Sequence, residues 1–109
     1  MRLTLRIDIN DQQKFGPGKA RLLELVDEHG SITAAGRAMG MSYRRAWMLI
    51  DDLNTMFAAK LVEAKPGGTG GGGAHLTDLG RDVVAAYRRI EAHAASAPDL
   101  IALRARMRS

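Results

Sequence analysis

The chain has 109 residues, no cysteine, and 16 Lys+Arg against 12 Asp+Glu for a net charge of +4, with a pI near 10.0. That length holds one domain with one modest core, too little for the usual two-domain sensor. Disulfide scaffolds and thiolate metal sites are excluded, nothing approaches the roughly 20 apolar residues of a membrane span, and the charge favours a polyanionic partner.

Leu3, Leu5, Ile7 and Ile9 alternate with Thr4, Arg6 and Asp8, which predicts a strand over residues 3–9 with one buried face. Residues 10–18, polar and carrying two glycines and Pro17, read as a connecting loop. A helix is expected from about Gly18, with Ala20, Leu22, Leu23, Leu25 and Val26 on its apolar face and Gly30 placed to end it. Ser31 can cap the next helix through its hydroxyl, and Ile32, Ala35 and Met39 share one face of that helix. Gly40 permits the positive φ of a tight reversal, and Ser42 can cap the helix that follows. At about 100° per residue, Ala46, Leu49, Ile50, Leu53 and Phe57 gather on one side of this second helix, while Arg44, Met48, Asp51 and Thr55 face away.

Residues 60–65 read as a short strand, residues 66–73 as a loop in which six of eight positions are glycine, and residues 74–76 as a returning strand. Thr77 caps a last helix, with Asp78 and Asp82 near its positive end. Leu79, Val83, Ala86, Ile90, Ala94 and Ala97 recur at spacings near four and three, forming a seam. A helix of about 20 residues extends ~30 Å, longer than this domain needs. Part of the seam is therefore expected to pack on a second subunit; the alternative is that it closes the monomer core. Pro98 breaks the run, and the residues beyond it, with Arg104, Arg106 and Arg108, form either a short basic helix or a frayed tail.

Where two helices of a helix-turn-helix approach, small residues are needed, with a turn-former between them and an apolar contact on the second helix. Gly36, Gly40 and Ala46 meet these needs in order. A generic helical hairpin would explain that spacing but not the strand, glycine loop and strand that follow directly, which is how a wing is appended. The major groove of duplex DNA admits one helix, whose N-terminal side chains reach base edges. Those positions hold Ser42, Tyr43, Arg44 and Arg45. Arginine can donate two hydrogen bonds to guanine, which makes Arg44 the leading base contact, and the Ser and Tyr hydroxyls suit phosphates or bases. Thr33, Met48, Lys65, Thr69, Gly70 and Gly71 complete the candidate DNA-binding set, with the glycine loop lying close to a sugar-phosphate backbone. The plainer reading is a solvated basic turn. Trp47 falls on the flank of the helix, where packing is favoured over DNA contact. Asp51 reads as a specificity or helix-charge residue, and Asp52 as solvated.

Gly68, Gly70 and Gly73 formally match the dinucleotide fingerprint GxGxxG. The context opposes it, because a strand rather than a helix is expected after the loop and no acidic residue lies at the required distance. No lysine followed by Ser or Thr trails the glycines, which excludes a Walker A loop. His29, His75 and His93 form no pair at ligand spacing, and there is no cysteine nucleophile. No catalytic, metal or cofactor site is expected.

From Gly30-Ser31-Ile32-Thr33-Ala34-Ala35 through Met41-Ser42-Tyr43-Arg44-Arg45-Ala46-Trp47, and on through Leu61-Val62-Glu63, the glycine run and Leu76-Thr77-Asp78-Leu79-Gly80, the chain resembles the N-terminal domain of ModE-type molybdate-responsive regulators. The resemblance covers residues 16–95; a looser likeness to LysR-type winged helices covers only the helix-turn-helix. It implies a winged-helix dimer on an operator, often beside molybdate-transport or molybdoenzyme genes, with Ser42, Tyr43 and Arg44 as recognition-helix contacts and Gly68 to Gly73 as wing. The oxyanion-binding domains that follow this domain in full ModE proteins are not in the sequence, so direct molybdate binding is not carried over.

The expected fold is thus mainly α with a small β wing, a winged helix-turn-helix with a long C-terminal dimerisation helix. Residues 1–97 form the DNA-binding domain and residues 98–109 a basic tail. The expected function is that of a cytoplasmic, homodimeric, sequence-specific regulator of transcription, neither an enzyme nor attached to a membrane, with double-stranded DNA as partner. The competing class is an adaptor that keeps the winged-helix fold but pairs with another protein.

Overall fold

The computed structural model describes residues 1–65 and 73–108. Of the alternating segment at the start, only β1 (Ile7–Asp8) pairs, antiparallel to β2 (Lys14–Phe15), a strand inside the segment that reads as loop. The hairpin closes because Asn10 Oδ1 accepts from the amides of Gln12 at 2.9 Å and Gln13 at 2.8 Å, an Asx turn. With so short a partner the predicted strand over residues 3–9 shrinks to two residues. Its upstream half is held differently, by the Tyr87 hydroxyl donating to the Leu5 carbonyl at 2.7 Å.

Pro17 opens α1 (Pro17–His29), where its fixed φ suits the first turn and its missing N–H is not needed. Gly30 ends the helix at φ 66°, its amide returning to the Val26 carbonyl. Ser31 caps α2 (Ile32–Ala38), its Oγ accepting from the Ala34 amide at 3.1 Å. Gly40 reverses the chain at φ 71°. Ser42 then caps α3 (Tyr43–Leu53) by accepting from the Arg45 amide at 3.1 Å.

The second helix stops at Leu53, four residues short of the expected Phe57, because Asn54 turns its side chain to the next segment. Its Nδ2 donates to the Val62 carbonyl at 3.1 Å, and its Oδ1 accepts from Leu61 at 2.9 Å and Val62 at 3.0 Å. Strands β3 (Val62–Lys65) and β4 (Gly73–Leu76) pair antiparallel, Val62 opposite Leu76 and Lys65 opposite Gly73. Residues 66–72 of the predicted glycine loop lie outside the described residues. Thr77 caps α4 (Asp78–Ala95), and Pro98 starts a further helix, α5 (Pro98–Arg106), so α4 is not the last. Of the two expectations for the tail, the short basic helix is the one formed.

All five expected apolar residues of α1 are buried, together with Ile32, Ala35, Ala46, Ile50, Leu53, Leu61, Val62 and Leu76. On α4 the inward residues are Gly80, Val84 and Tyr87. The seam lies beside them: Leu79 and Val83 pack half-buried against the core, and Ile90 is 46% exposed. Phe15 packs edge-on between Tyr87 and Phe57, with ring centroids 5.2 and 6.3 Å away. Burial pushes the Tyr87 phenol above its ordinary value. Arg88 ties α4 to α1 with a two-pronged pair to Glu24, at 2.9 and 3.2 Å, and a third bond to Glu91 at 2.7 Å. Hydrogen bonding from Arg88 holds the Glu24 carboxyl below its usual range.

The radius of gyration is 16.3 Å, against roughly 13 Å for a compact chain of this size. α5 buries no residue, and Ile101 and Leu103 on it and Met107 just after it are about half exposed.

Candidate nucleic-acid interface

The presentation of α3 depends on how closely α2 lies against it. A methyl placed on Gly36 would sit 2.5 Å from the Ala46 Cβ, well inside the ~3.5 Å at which carbons touch. The two small residues singled out by spacing are therefore the crossing point, and Met41 and Met39 donate back to the Gly36 carbonyl at 2.9 and 3.0 Å to hold the turn. With Ala46, Ile50 and Leu53 buried, the opposite face of α3 is presented to solvent.

That face carries Tyr43 at 65% and Met48 at 60% exposure, with Ser42, Arg44, Arg45 and Asp51 also exposed. Ser42 spends its acceptor on the helix cap and keeps its O–H for a partner. Thr33 is half-buried on α2. Thr69, Gly70 and Gly71 lie outside the described residues.

Between α3 and the β3–β4 wing runs an open groove of about 460 Å³, lined among others by Trp47, Asp51, Lys60, Glu63, Lys65 and His75. Lys65 is thus brought beside α3, as is Lys60, which the sequence marked only as the beginning of a strand. Glu63 and His75 face each other across the wing, with His75 Nε2 3.4 Å from a Glu63 carboxylate oxygen. Trp47 packs against the core, its ring centroid 6.1 Å from that of Tyr43, and its Nε1 is buried without a hydrogen-bond partner among the described residues. Its placement is that of a packing residue which also sets the Tyr43 ring.

Asp52 is not simply solvated. Its carboxylate accepts from Gln13 Nε2 at 2.8 Å and lies 3.5 Å from Lys19 Nζ, clamping the N-terminal hairpin and α1 to the end of α3. The partner is 39 positions away in sequence, which is why helix periodicity alone missed it. The three hydrogen bonds of Asn54 run to Leu61 and Val62, seven and eight positions on, and were missed because the pattern of one helix says nothing of the segment after it.

Among the described residues no three His, Cys, Asp or Glu side chains gather as a metal site, and no helix is long and apolar enough to cross a membrane.

Residues 18–81 match the family model described as bacterial regulatory helix-turn-helix protein, lysR family. The chain is 44% identical over 79 residues to the molybdenum-pterin-binding protein MopB of Rhodobacter capsulatus, covering 72% of this chain and 29% of that one. It is 42% identical over 86 residues to the molybdenum transport protein ModE of Azotobacter vinelandii, covering 79% and 32%. Against the DNA-binding transcriptional dual regulator ModE of Escherichia coli K12 it is 38% identical over 87 residues, covering 78% and 32%. The matched part is less than a third of the length of each of these curated relatives. The chain belongs to the bacterial regulatory helix-turn-helix proteins of the lysR family, and its likeness to ModE-type proteins is to one domain of them.

Proposed function

We propose that this domain is a homodimeric, sequence-specific regulator of transcription that lays α3 in the major groove of duplex DNA and the β3–β4 wing along the backbone. The observation that carries this reading is the N-terminus of α3. A capped helix presents Tyr43, Arg44 and Arg45 outward, beside a groove that holds Lys60 and Lys65. Arg44 is the donor to a guanine edge, and the two lysines meet phosphates that flank it. Ser42 adds its free O–H at the same end.

Dimerisation through the seam of α4 rests on Leu79, Val83, Ala86 and Ile90, whose apolar surface the core covers only in part. Ala94 and Ala97 continue it towards α5, which has no burial of its own. A nine-residue helix is marginal in water when nothing packs on it, so α5 belongs with this interface rather than with a free tail. The relatives named for molybdenum transport support targets in molybdenum metabolism. Such a regulator acts in the cytoplasm.

A two-fold dimer reads a pseudo-palindrome with half-sites one helical turn apart, about 34–36 Å, or a multiple of it. Duplexes selected from a random pool by the protein, followed by anisotropy titrations across salt, test this. Affinity falls steeply with salt as phosphate counterions are released. Arg44→Ala loses about 1–3 kcal/mol on the selected site and relaxes the preference at one base pair. Selection that enriches no sequence, or binding indifferent to Arg44→Ala, removes the proposal and favours a protein-binding adaptor.

A further inference from the structure

α3 keeps Ala46, Ile50 and Leu53 in the core. At 3.6 residues per turn, the direction opposite to them falls within roughly 20° of Met48. The centre of the outward face is therefore an apolar side chain, 60% exposed, and the charged residues Arg44 and Asp51 flank it. Isolated apolar residues on a surface are ordinary; this one stands where a base edge would be met.

A thioether offers no donor and only a weak acceptor. Set against an amino or carbonyl group of a base, it would strip water from that group and return no hydrogen bond. The apolar group that bases present in the major groove is the 5-methyl of thymine. Met48 lies four residues after Arg44, a rise of about 6 Å along the helix, which matches about two base steps of 3.4 Å.

On the reading that α3 enters the major groove, we propose that Met48 determines specificity by packing on a thymine 5-methyl group, about two base steps from the guanine bonded by Arg44. Cytosine carrying a 5-methyl group offers the same surface, although its N4 amino group is then left without a partner.

The test uses the 109-residue protein and the duplex it selects, with each thymine replaced in turn by deoxyuridine, which removes only the methyl group. One buried methyl is worth about 0.8 kcal/mol, close to a fourfold change in Kd. Wild type is expected to lose about fourfold at one thymine per half-site, and about 15-fold when both half-sites carry the change. Met48→Ala is expected to bind the thymine duplex several-fold more weakly and to show no further loss on deoxyuridine. Met48→Leu keeps an apolar end there and retains the methyl preference. Melting curves of both variants should match wild type, since the side chain is exposed. Uniform tolerance of deoxyuridine by wild type, or a methyl preference unchanged in Met48→Ala, overturns the proposal while leaving DNA binding intact. Failure to select any sequence overturns both.

Discussion

Gly36→Ala sets sterics against helix propensity at the crossing of α2 and α3. Gly36 lies within α2 and does not share the positive φ of Gly30 and Gly40. Propensity alone would then favour alanine by about 1 kcal/mol. The added methyl, however, would lie 2.5 Å from the Ala46 Cβ, so the helices must part by about 1 Å to restore a normal carbon contact. A β-carbon cannot rotate away, which places the strain near the upper end of the ~1–3 kcal/mol typical of overpacking. After the propensity gain, a net loss of about 2 kcal/mol remains, a fall in Tm of roughly 8–16 °C at 4–8 °C per kcal/mol. Thermal and denaturant unfolding followed by circular dichroism would measure it for Gly36→Ala, Ala46→Gly and the double variant. The double variant should recover at least about 1 kcal/mol over the sum of the single changes, because it returns the missing space. Gly18→Ala serves as control: nothing lies within 4 Å of its added methyl, and stability should hold or rise. Gly36→Ala melting at or above wild type would refute the close-packed crossing.

Asn54→Ala removes three hydrogen bonds and strands the Leu61 and Val62 amides; a loss of about 3 kcal/mol in denaturant unfolding is expected, with faster hydrogen exchange at those two amides. Glu24 is harder to protonate in the fold than in the unfolded chain, where its value is near 4.5. Its pairing with Arg88 therefore contributes fully above about pH 4.5 and fades as pH falls through the lower folded value. The side chains are 30% and 36% exposed, which keeps the contribution near 0.2–1 kcal/mol. Unfolding free energy of Arg88→Met measured from pH 7 to pH 3 should decline less than that of wild type; parallel curves would count against the pairing. Ile90→Glu, at a position 46% exposed in one chain, should convert dimer to monomer in sedimentation while preserving the monomer fold. A variant that still sediments as a dimer removes the α4 seam from the interface.

The helix-turn-helix was legible because its determinants act within a few residues. Ser31 and Ser42 cap through an amide three positions on, and Gly30 and Gly40 take positive φ at the turns. Gly36 and Ala46 required only spacing. The N-terminal hairpin was not legible, since β2 is two residues long and the hairpin is held by Gln13 reaching Asp52. Nor was the inward face of α4. The stripe of Leu79, Val83, Ala86 and Ile90 and the stripe of Gly80, Val84 and Tyr87 differ by about one residue, or 100°. Periodicity favours the more apolar of the two. What decides is contact from elsewhere: α4 passes so close to the Leu61 carbonyl that Gly80 has no room for a side chain, and the Tyr87 hydroxyl finds Leu5, 82 positions away.

Hydrogen bonds between neighbouring elements make α3 and the wing one geometric unit. Asn54 closes α3 and accepts from the amides of Leu61 and Val62 at the entry to β3. Thr77 caps α4 while its amide donates to the Leu61 carbonyl at 2.9 Å and its hydroxyl to the Lys60 carbonyl at 2.7 Å. The start of β4 is pinned to the α1–α2 junction, where the Ala74 amide donates to the Gly30 carbonyl at 2.9 Å. The described strands of the wing are therefore tied to the end of α3, to the start of α4 and to the turn before α2. The backbone at Lys60 and along β3 is consequently held against α3 before any partner arrives. Binding through such a preset pair of elements does not spend free energy on ordering them, so on the proposed function a substitution that loosens Asn54 should weaken duplex binding, although the Asn54 side chain bonds to the wing.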